Sequence, residues 1–181
     1  NPKADVWYGG THDPHLQAAN EGLLQPYLSA NMKDQYSWSG DLLAKSGNQV
    51  AGIYRITLGF GYNRDLLAKR NQKPPACWSD LVKPEYVGEI ETSNPATSGT
   101  AYTILATVVQ LMGEDRAFDY LRSLHKNVNR YTTSGTAQRQ SVSRGESLIG
   151  VTFLDEFIPE QYVGAPVETV LPCEGTGYSV G

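Results

Sequence analysis

Two short segments rich in serine, threonine and glycine each follow a predicted strand and lead into a predicted helix: Thr97–Thr100 and Thr133–Thr136. A helix start offers unpaired backbone N–H groups and the positive end of the helix dipole, and small hydroxyl residues let an anion approach both. The same residue types are also the best helix caps, so capping alone accounts equally well for either segment. Together the segments predict one anion site, and its candidate residues are Thr97, Ser98, Gly99, Thr100, Ser134 and Gly135.

A third segment of this kind is Gly9–Thr11, which follows a predicted strand over residues 4–8. Gly10 and Thr11 are therefore further candidates for contact with a ligand, although a tight turn that needs a positive φ would also account for the glycines. Three residues able to ligate a metal follow, namely His12, Asp13 and His15. Their spacing lacks a fourth ligand, so we expect them to cap the next helix rather than to bind a metal.

Three carboxylates are further candidates for contact with a ligand. Asp155 and Glu156 end an otherwise apolar predicted strand, where a charge costs free energy unless it is solvated or paired. Glu174 lies among glycines in the segment 172–177, which leaves the backbone accessible. Such carboxylates suit sugar hydroxyls, ammonium groups or metals equally well.

Motifs of catalysis are missing from the sequence. There is no Gly-x-Ser-x-Gly elbow, no phosphate-binding loop of the Walker type and no His-Glu-x-x-His. We therefore expect a protein that is not an enzyme and carries no cofactor and no metal. The alternative of another class is a small α/β hydrolase or transferase, which would need a base beside Ser98 or Ser134. Cys77 and Cys173 have no zinc-site spacing, and a disulfide and two separate thiols are both open.

Composition excludes two classes of partner. The chain has 181 residues and a formal net charge of -4, with no cluster of Lys and Arg longer than two, so it has no footprint for nucleic acid. Its longest apolar stretches, such as 104–112, are shorter than the roughly 20 residues that a membrane span needs. No secretion signal follows Asn1, so we expect such a signal to have been removed or to lie outside this sequence.

The elements that must position these residues alternate along the chain. We expect strands over 4–8, 50–62, 88–93, 128–131, 148–153 and 166–171, and helices over 15–24, 63–69, 77–82, 101–112, 116–124 and 137–144. Alternation of this kind predicts an α/β fold with a mainly parallel sheet, in which ligands bind beyond the carboxyl ends of the strands.

The order and spacing of several segments resemble one known family. The segments are 4–10, 58–63, 77–81, 88–100, 144–146, 149–152, 164–167 and 174–177. In this order they are similar to the type II periplasmic solute-binding proteins of ABC importers, in the family that binds ferric iron, phosphonates or hexose phosphates. The resemblance spans nearly the whole chain.

The resemblance implies two α/β lobes joined by crossing strands, with a ligand held in the cleft between them. Residues 1–56 would be the end of the first lobe and the approach to the hinge, 57–169 the second lobe, and 170–181 the return crossing. On this reading the second lobe is complete, the first is partial, and the sequence is a fragment. The resemblance also implies an extracytoplasmic, periplasmic protein that captures a small anionic solute and delivers it to an importer permease. The full-length protein would be a monomer.

The resemblance bears on the ligand as well. Ferric-binding relatives carry adjacent tyrosines after the strand that here ends at Phe153, whereas this chain has Leu154, Asp155 and Glu156. A phosphorylated or phosphonate solute is thus expected, with Asp155 and Glu174 holding its polar groups. The alternative is a ferric-iron-binding protein that uses Asp155, Glu156 or His12 together with a bound anion.

Overall fold

The computed structural model describes residues 4–181, which form two compact units. The first contains the chain up to Arg55 together with Ser179–Gly181, and the second contains Ile56–Tyr178. The chain therefore leaves the first unit once and returns to it for its last three residues.

The first unit is small and mainly helical. Its elements are α1 His12–Asn20, a 3-10 helix Ala30–Asp34 and α2 Ser37–Lys45. A small core holds them together, formed by Ala19, Leu42, Val50 and Val180. Because this core draws on one residue from the returning segment, both parts of the chain stabilise the unit.

Two predictions for the first unit were wrong. Residues 4–8 are in no strand, because β-prone side chains form a strand only where a neighbouring strand pairs with them. The helix predicted over 15–24 begins three residues earlier, at His12, and ends at Asn20. Thr11 is extended at its start and Gly22, with φ of 70°, lies just beyond its end.

The second unit carries most of the secondary structure. Its strands are β1 Arg55–Asn63, β2 Ile90–Ser93, β3 Val128–Thr132, β4 Ile149–Phe153 and β5 Val167–Val170, and the chain ends with β6 Tyr178–Val180. Its α-helices are α3 Arg64–Lys69, α4 Gly99–Met112, α5 Glu114–Asn127, α6 Gln138–Ser143 and α7 Ile158–Tyr162. Its 3-10 helices are Trp78–Val82, Pro84–Tyr86 and Leu154–Phe157.

The described strands form one six-stranded sheet, in which five run in the order β3-β2-β4-β1-β5 and β6 pairs with β1 off this path. β2 is parallel to both β3 and β4, whereas β1 is antiparallel to both β4 and β5. The α/β class is thus confirmed, and the sheet is mixed, with its parallel part confined to β3-β2-β4. The carboxyl ends of these three strands lie at the same edge, and that edge carries the serine and threonine segments.

Strand β1 lies between β4 and β5 in the sheet and contains two glycines, Gly59 and Gly61. A Cβ on Gly61 would lie 2.6 Å from the ring of Phe157, and one on Gly59 would overlap Leu154. The side chains of the 3-10 helix that follows β4 therefore pack directly on the backbone of β1, which is the close approach that glycine within a strand usually marks.

The core of the second unit lies between the sheet and the pair α4–α5. Fully buried side chains include Phe60, Trp78 and Ile149, with Val108 from α4. The face of α5 that is buried consists of Ala117, Tyr120 and Leu124. Phe118, next to Ala117, is 47% exposed and lies outside this buried face.

Cys77 and Cys173 form a disulfide, which resolves the choice left open by the sequence. The backbone reinforces it, because the Cys173 N–H donates to the carbonyl of Ala76 at 2.9 Å. In the described part of the chain, no helix combines the length and the apolar character that crossing a membrane requires.

Candidate functional site

The first side of the candidate site is the start of α4. After β2 the chain turns at Asn94, whose backbone carbonyl accepts from the N–H groups of Thr97 and Ser98. The Ser98 hydroxyl caps the helix by accepting from Ala101 N–H at 3.4 Å. Among residues 4–181 no acceptor is found for the N–H groups of Gly99 and Thr100. Two backbone donors at the positive end of a 14-residue helix are therefore unpaired.

The second side is the loop 133–136, which connects β3 to α6. Ser134 Oγ lies 3.1 Å from Thr136 Oγ1 and accepts from Thr136 N–H at 3.3 Å, which closes a local turn. The predicted capped helix start was wrong here, because α6 begins only at Gln138 and Ala137 provides no side-chain cap. The segment is a polar turn before a six-residue helix.

The structure brings these two sides together. A Cβ added to Gly135 would lie 2.8 Å from Thr100 Cβ and 2.9 Å from Ser98 Oγ, so the loop backbone rests directly on the first turn of α4. The hydroxyl of Thr97 lies 3.3 Å from the Thr133 carbonyl, which joins the two segments a second time. The two segments are therefore in contact at the start of α4.

An ion pair lies in the strands beneath this edge. Arg130 on β3 binds Glu91 on β2 through Nε at 3.1 Å and Nη2 at 2.8 Å, and Glu91 is completely buried. The hydroxyls of Ser141 and Ser147 each donate to this carboxylate at 3.1 Å. Because its guanidinium is paired with Glu91, Arg130 stabilises the sheet. The donors of the candidate site are the uncharged N–H groups of Gly99 and Thr100.

Asp155 and Glu156 lie in the 3-10 helix after β4, and Asp155 is exposed. Partial burial raises the pKa of Asp155 above its usual range, and its own backbone N–H opposes this. Burial likewise raises the pKa of Glu156, although Arg139, 3.2 Å away, lowers it. Asp155 has no cation within ion-pair distance in the described chain, so its carboxylate is the more available of the two.

Glu174 is already engaged. Its carboxylate accepts from the backbone N–H groups of Trp78 at 2.7 Å and Ser79 at 2.9 Å, at the start of the 3-10 helix beside the disulfide. Burial acts to raise the pKa of Glu174, but the hydrogen bonds from Ser79 and Trp78 outweigh it, so the pKa lies below its usual value. Gly175, the next residue, lies beside Leu111 in the last turn of α4, so the structure does not bring Glu174 together with Ser98 and Thr100.

Gly10 and Thr11 belong to the first unit. Gly10 has φ of 88°, and its carbonyl accepts from the Tyr54 hydroxyl at 3.0 Å. Thr11 precedes α1 and is 5% exposed, with no hydrogen-bond partner for its hydroxyl. The nearby histidines contact backbone carbonyls, since the Nδ1 atoms of His12 and His15 lie 3.2 Å from Val180 O and 3.0 Å from Thr11 O.

The residues named for other chemistries are dispersed. In the chain from residue 4 onward, neither Ser98 nor Ser134 has a histidine, lysine or carboxylate in hydrogen-bond contact with its hydroxyl. The one described group of three possible metal ligands is Cys77, Cys173 and Glu174, and its two sulfurs are joined in the disulfide.

Sequence reasoning missed the residues beneath the loop. Thr132 and Thr152 hold the carbonyls of Ser134 and Gly135, and Gln138 supports Thr132. The available signal was weak, because threonine is an ordinary strand residue.

A mixed sheet whose parallel strands end in two polar loops that contact each other fits a protein that binds a solute. Over residues 1–180 the sequence matches the family of bacterial extracellular solute-binding proteins, and the chain belongs to that family. Members of this family are the solute-binding components of transport systems.

Three known proteins are particularly similar. An uncharacterised protein of Haemophilus influenzae is 48% identical over 182 residues, which cover all of this chain and 53% of that protein. The periplasmic binding protein AfuA from Actinobacillus pleuropneumoniae, solved with exogenous fructose-6-phosphate bound, is 45% identical with a TM-score of 0.93. The periplasmic binding protein P5PA is 42% identical, also with a TM-score of 0.93. Both structural matches cover all of this chain and 57% of the other.

The chain thus spans little more than half the length of the relatives that it matches. The extracellular family and the periplasmic relatives indicate a periplasmic location.

Proposed function

We propose that this chain is part of the solute-binding component of an ABC importer and that the protein captures a small anionic solute that carries a phosphate or phosphonate group. The observation that carries the proposal is the contact of Gly135 with Ser98 and Thr100, which places the unpaired donors of α4 beside a polar loop. AfuA, which is 45% identical to this chain, was solved with a sugar phosphate bound.

In this proposal the anionic group binds at the start of α4. The N–H groups of Gly99 and Thr100 donate to its oxygens, with the hydroxyls of Thr97 and Ser98 at the same turn. The helix dipole favours a negative charge there without a cation. Ser134 and Gly135 border the same position from the loop.

Asp155 would bind the uncharged part of the solute. Asp155 is three residues beyond Thr152, whose hydroxyl binds the loop carbonyl at Gly135. Its Cα is therefore within about 11 Å of that of Thr152 by chain length alone. We assign it to sugar hydroxyls. Glu174 is not assigned to the same solute, because Gly175 beside it contacts Leu111 in the last turn of α4, about 18 Å along the helix from Gly99.

The surroundings of Ser98 and Ser134 favour a binding protein over an enzyme, because an enzyme would need a base beside one of these serines. The protein would function as a monomer and release its solute to a membrane permease.

Calorimetric titration of the full-length protein tests the proposal. Fructose 6-phosphate should bind at least about 100-fold more tightly than fructose, since charge-assisted hydrogen bonds are each worth about 1.5–3 kcal/mol. Inorganic phosphate and methylphosphonate should compete weakly. Tight binding of ferric citrate without binding of any phosphate or phosphonate compound would overturn the assignment.

A matched pair of variants locates the site. Ser98→Ala removes the hydroxyl at the start of α4 and should weaken fructose 6-phosphate binding by about tenfold, the equivalent of one hydrogen bond. Ser123→Ala removes a hydroxyl that donates to the Asp119 carbonyl on the solvent-facing side of α5. It should leave affinity unchanged. Equal affinities for both variants would place the site elsewhere.

A further inference from the structure

The loop 133–136 is held from below by two threonine hydroxyls. Thr132 Oγ1 donates to the carbonyl of Ser134 at 2.7 Å, and Thr152 Oγ1 donates to the carbonyl of Gly135 at 2.6 Å. Thr152 is completely buried. Two consecutive carbonyl groups of the loop are therefore fixed by side chains at the ends of β3 and β4.

Fixing a carbonyl also fixes the N–H group of the same peptide unit, because the peptide bond is planar and trans, so the two point in opposite directions. The peptide that holds the Ser134 carbonyl also holds the Gly135 N–H, and the next one holds the Thr136 N–H. Ser134 Oγ accepts from Thr136 N–H at 3.3 Å. For the Gly135 N–H, residues 4–181 provide no acceptor.

Gln138 supports Thr132 by donating a hydrogen bond to its hydroxyl. The Thr132 hydroxyl has one proton, and the Ser134 carbonyl accepts it, so the contact from Gln138 must come from a donor. The amide nitrogen of Gln138 therefore faces Thr132 at 2.9 Å. Its oxygen is left without a hydrogen-bond partner in a completely buried side chain. A buried unpaired acceptor is costly, and the arrangement is therefore a sign of a constraint other than stability.

We propose that Thr132 and Thr152, with Gln138 behind Thr132, are positioning residues that hold the two peptides on either side of Gly135 so that the N–H of Gly135, and not a carbonyl, faces the bound anion. The inference rests on the proposed function. Gly135 lies against the first turn of α4, because a Cβ on it would contact Thr100, so the peptide that carries its N–H borders the donors of that helix. Rotation of the same peptide would direct a carbonyl dipole at the anion and repel it.

The test uses full-length protein in which Thr152 is replaced by valine, which has nearly the same shape but lacks the hydroxyl. Affinity for fructose 6-phosphate should fall by about 10- to 100-fold, and Thr152→Ser should restore it to within about threefold, as expected from one or two hydrogen bonds. Thr92→Val is the matched control. Thr92 is a buried threonine on β2 whose hydroxyl lies 3.4 Å from the Val151 carbonyl, and its loss should not change affinity.

A spectroscopic signature separates positioning from a general loss of structure. In the wild-type protein and in Thr152→Ser, addition of fructose 6-phosphate should shift the amide proton resonance of Gly135 downfield. In Thr152→Val the shift should be absent, while resonances of α5 match those of the wild type. Thr132→Val frees the peptide that carries the Gly135 N–H itself, whereas Thr152→Val frees the next one, and the two variants should behave alike because the peptides meet at Gly135.

Unchanged affinity in both valine variants, or a Gly135 shift that persists in them, would overturn the inference while leaving the proposed function intact. A wild-type protein that binds neither fructose 6-phosphate nor inorganic phosphate would overturn both. These two failures are distinguished by the wild-type titration alone.

Discussion

Gly135 shows how a single residue type sets the geometry of the candidate site. The loop that carries it approaches α4 closely enough that a methyl group would overlap Ser98 and Thr100. The glycine is required for space, because its φ is not in the left-handed region. A side chain at this position would occupy the space between the two polar segments.

Gly135→Ala should separate the two segments. We expect unfolding free energy to fall by about 1–3 kcal/mol, as for other overpacked positions, and fructose 6-phosphate affinity to fall by more than about tenfold. Urea unfolding and titration calorimetry measure the two effects. Gly40→Ala in α2 is the control, because its Cβ would meet open space, and it should stabilise the protein by about 0.5–1 kcal/mol. Wild-type affinity in Gly135→Ala would contradict the geometry.

Asp155→Asn should separate binding from stability. Because burial raises the pKa of Asp155 in the folded protein, its ionised form is disfavoured by folding. The variant should therefore be more stable than the wild type at pH 7, by about 0.5 kcal/mol after solvent screening, and bind fructose 6-phosphate about 10- to 100-fold more weakly.

The stability difference depends on pH. It should be fully present above the raised pKa of Asp155 and disappear as the pH falls below the unfolded value, where both proteins are uncharged at this position. Thermal melts between pH 3 and 7 measure it. Glu156→Gln is the comparison for stability, since it removes a carboxylate that, unlike Asp155, is paired with Arg139. Loss of stability at pH 7 in Asp155→Asn would show that its charge is paired.

At the scale of elements, β2 and β3 are joined by a buried charge as well as by their backbones. Glu91 is inaccessible and has four hydrogen bonds, two from Arg130 and one each from Ser141 and Ser147. Since Ser141 lies on α6, this carboxylate ties the helix after the loop to the strand that leads into α4. The site therefore rests on elements that are linked beneath it.

Arg130→Ala should destabilise the protein by about 2–3 kcal/mol, because it leaves the Glu91 carboxylate buried without a cation. Chemical denaturation at pH 7 measures the loss. Arg122→Ala on α5 breaks an exposed pair with Asp119 at 2.6 Å and should cost less than about 0.5 kcal/mol. Equal losses in the two variants would show that water screens Glu91 in the folded state.

The elements near the site could be predicted well from the sequence. Apolar periodicity and the residues Ser98 and Gly113 mark the limits of α4, because both signals are local. The direction of β1 could not be predicted, since it depends on pairing with β4 and β5, which lie far along the chain. The supporting role of Thr152 was missed for the same reason, because its partner is the backbone of another segment.

At the scale of the molecule, the disulfide closes much of the second unit. Cys77 and Cys173 are 96 residues apart, and the crosslink constrains the unfolded chain over that length. Glu174 and Trp78 add hydrogen bonds beside it. A crosslink of this kind suits a protein of the oxidising periplasm.

Replacing both cysteines by serine should lower the free energy of unfolding by about 2–5 kcal/mol, the range for loss of a native disulfide. Melting curves with and without dithiothreitol measure the effect. The reductant should lower the melting temperature of the wild type and leave that of the double variant unchanged. A wild type that is insensitive to complete reduction, verified by thiol titration, would contradict the prediction.

The path of the chain through its two units has a consequence for biosynthesis. The backbones of Ile53 and Tyr54 bond to Gly181, with Ile53 N–H donating to Gly181 O at 2.7 Å and Gly181 N–H donating to Tyr54 O at 3.1 Å. On the ribosome these early residues must therefore wait until all of Ile56–Tyr178 has been made. The second unit can form its sheet during that interval, because its contacts lie within the emerging segment. The first unit therefore closes around a segment that is made after the second unit, and until then its apolar side chains are a surface that a chaperone would meet.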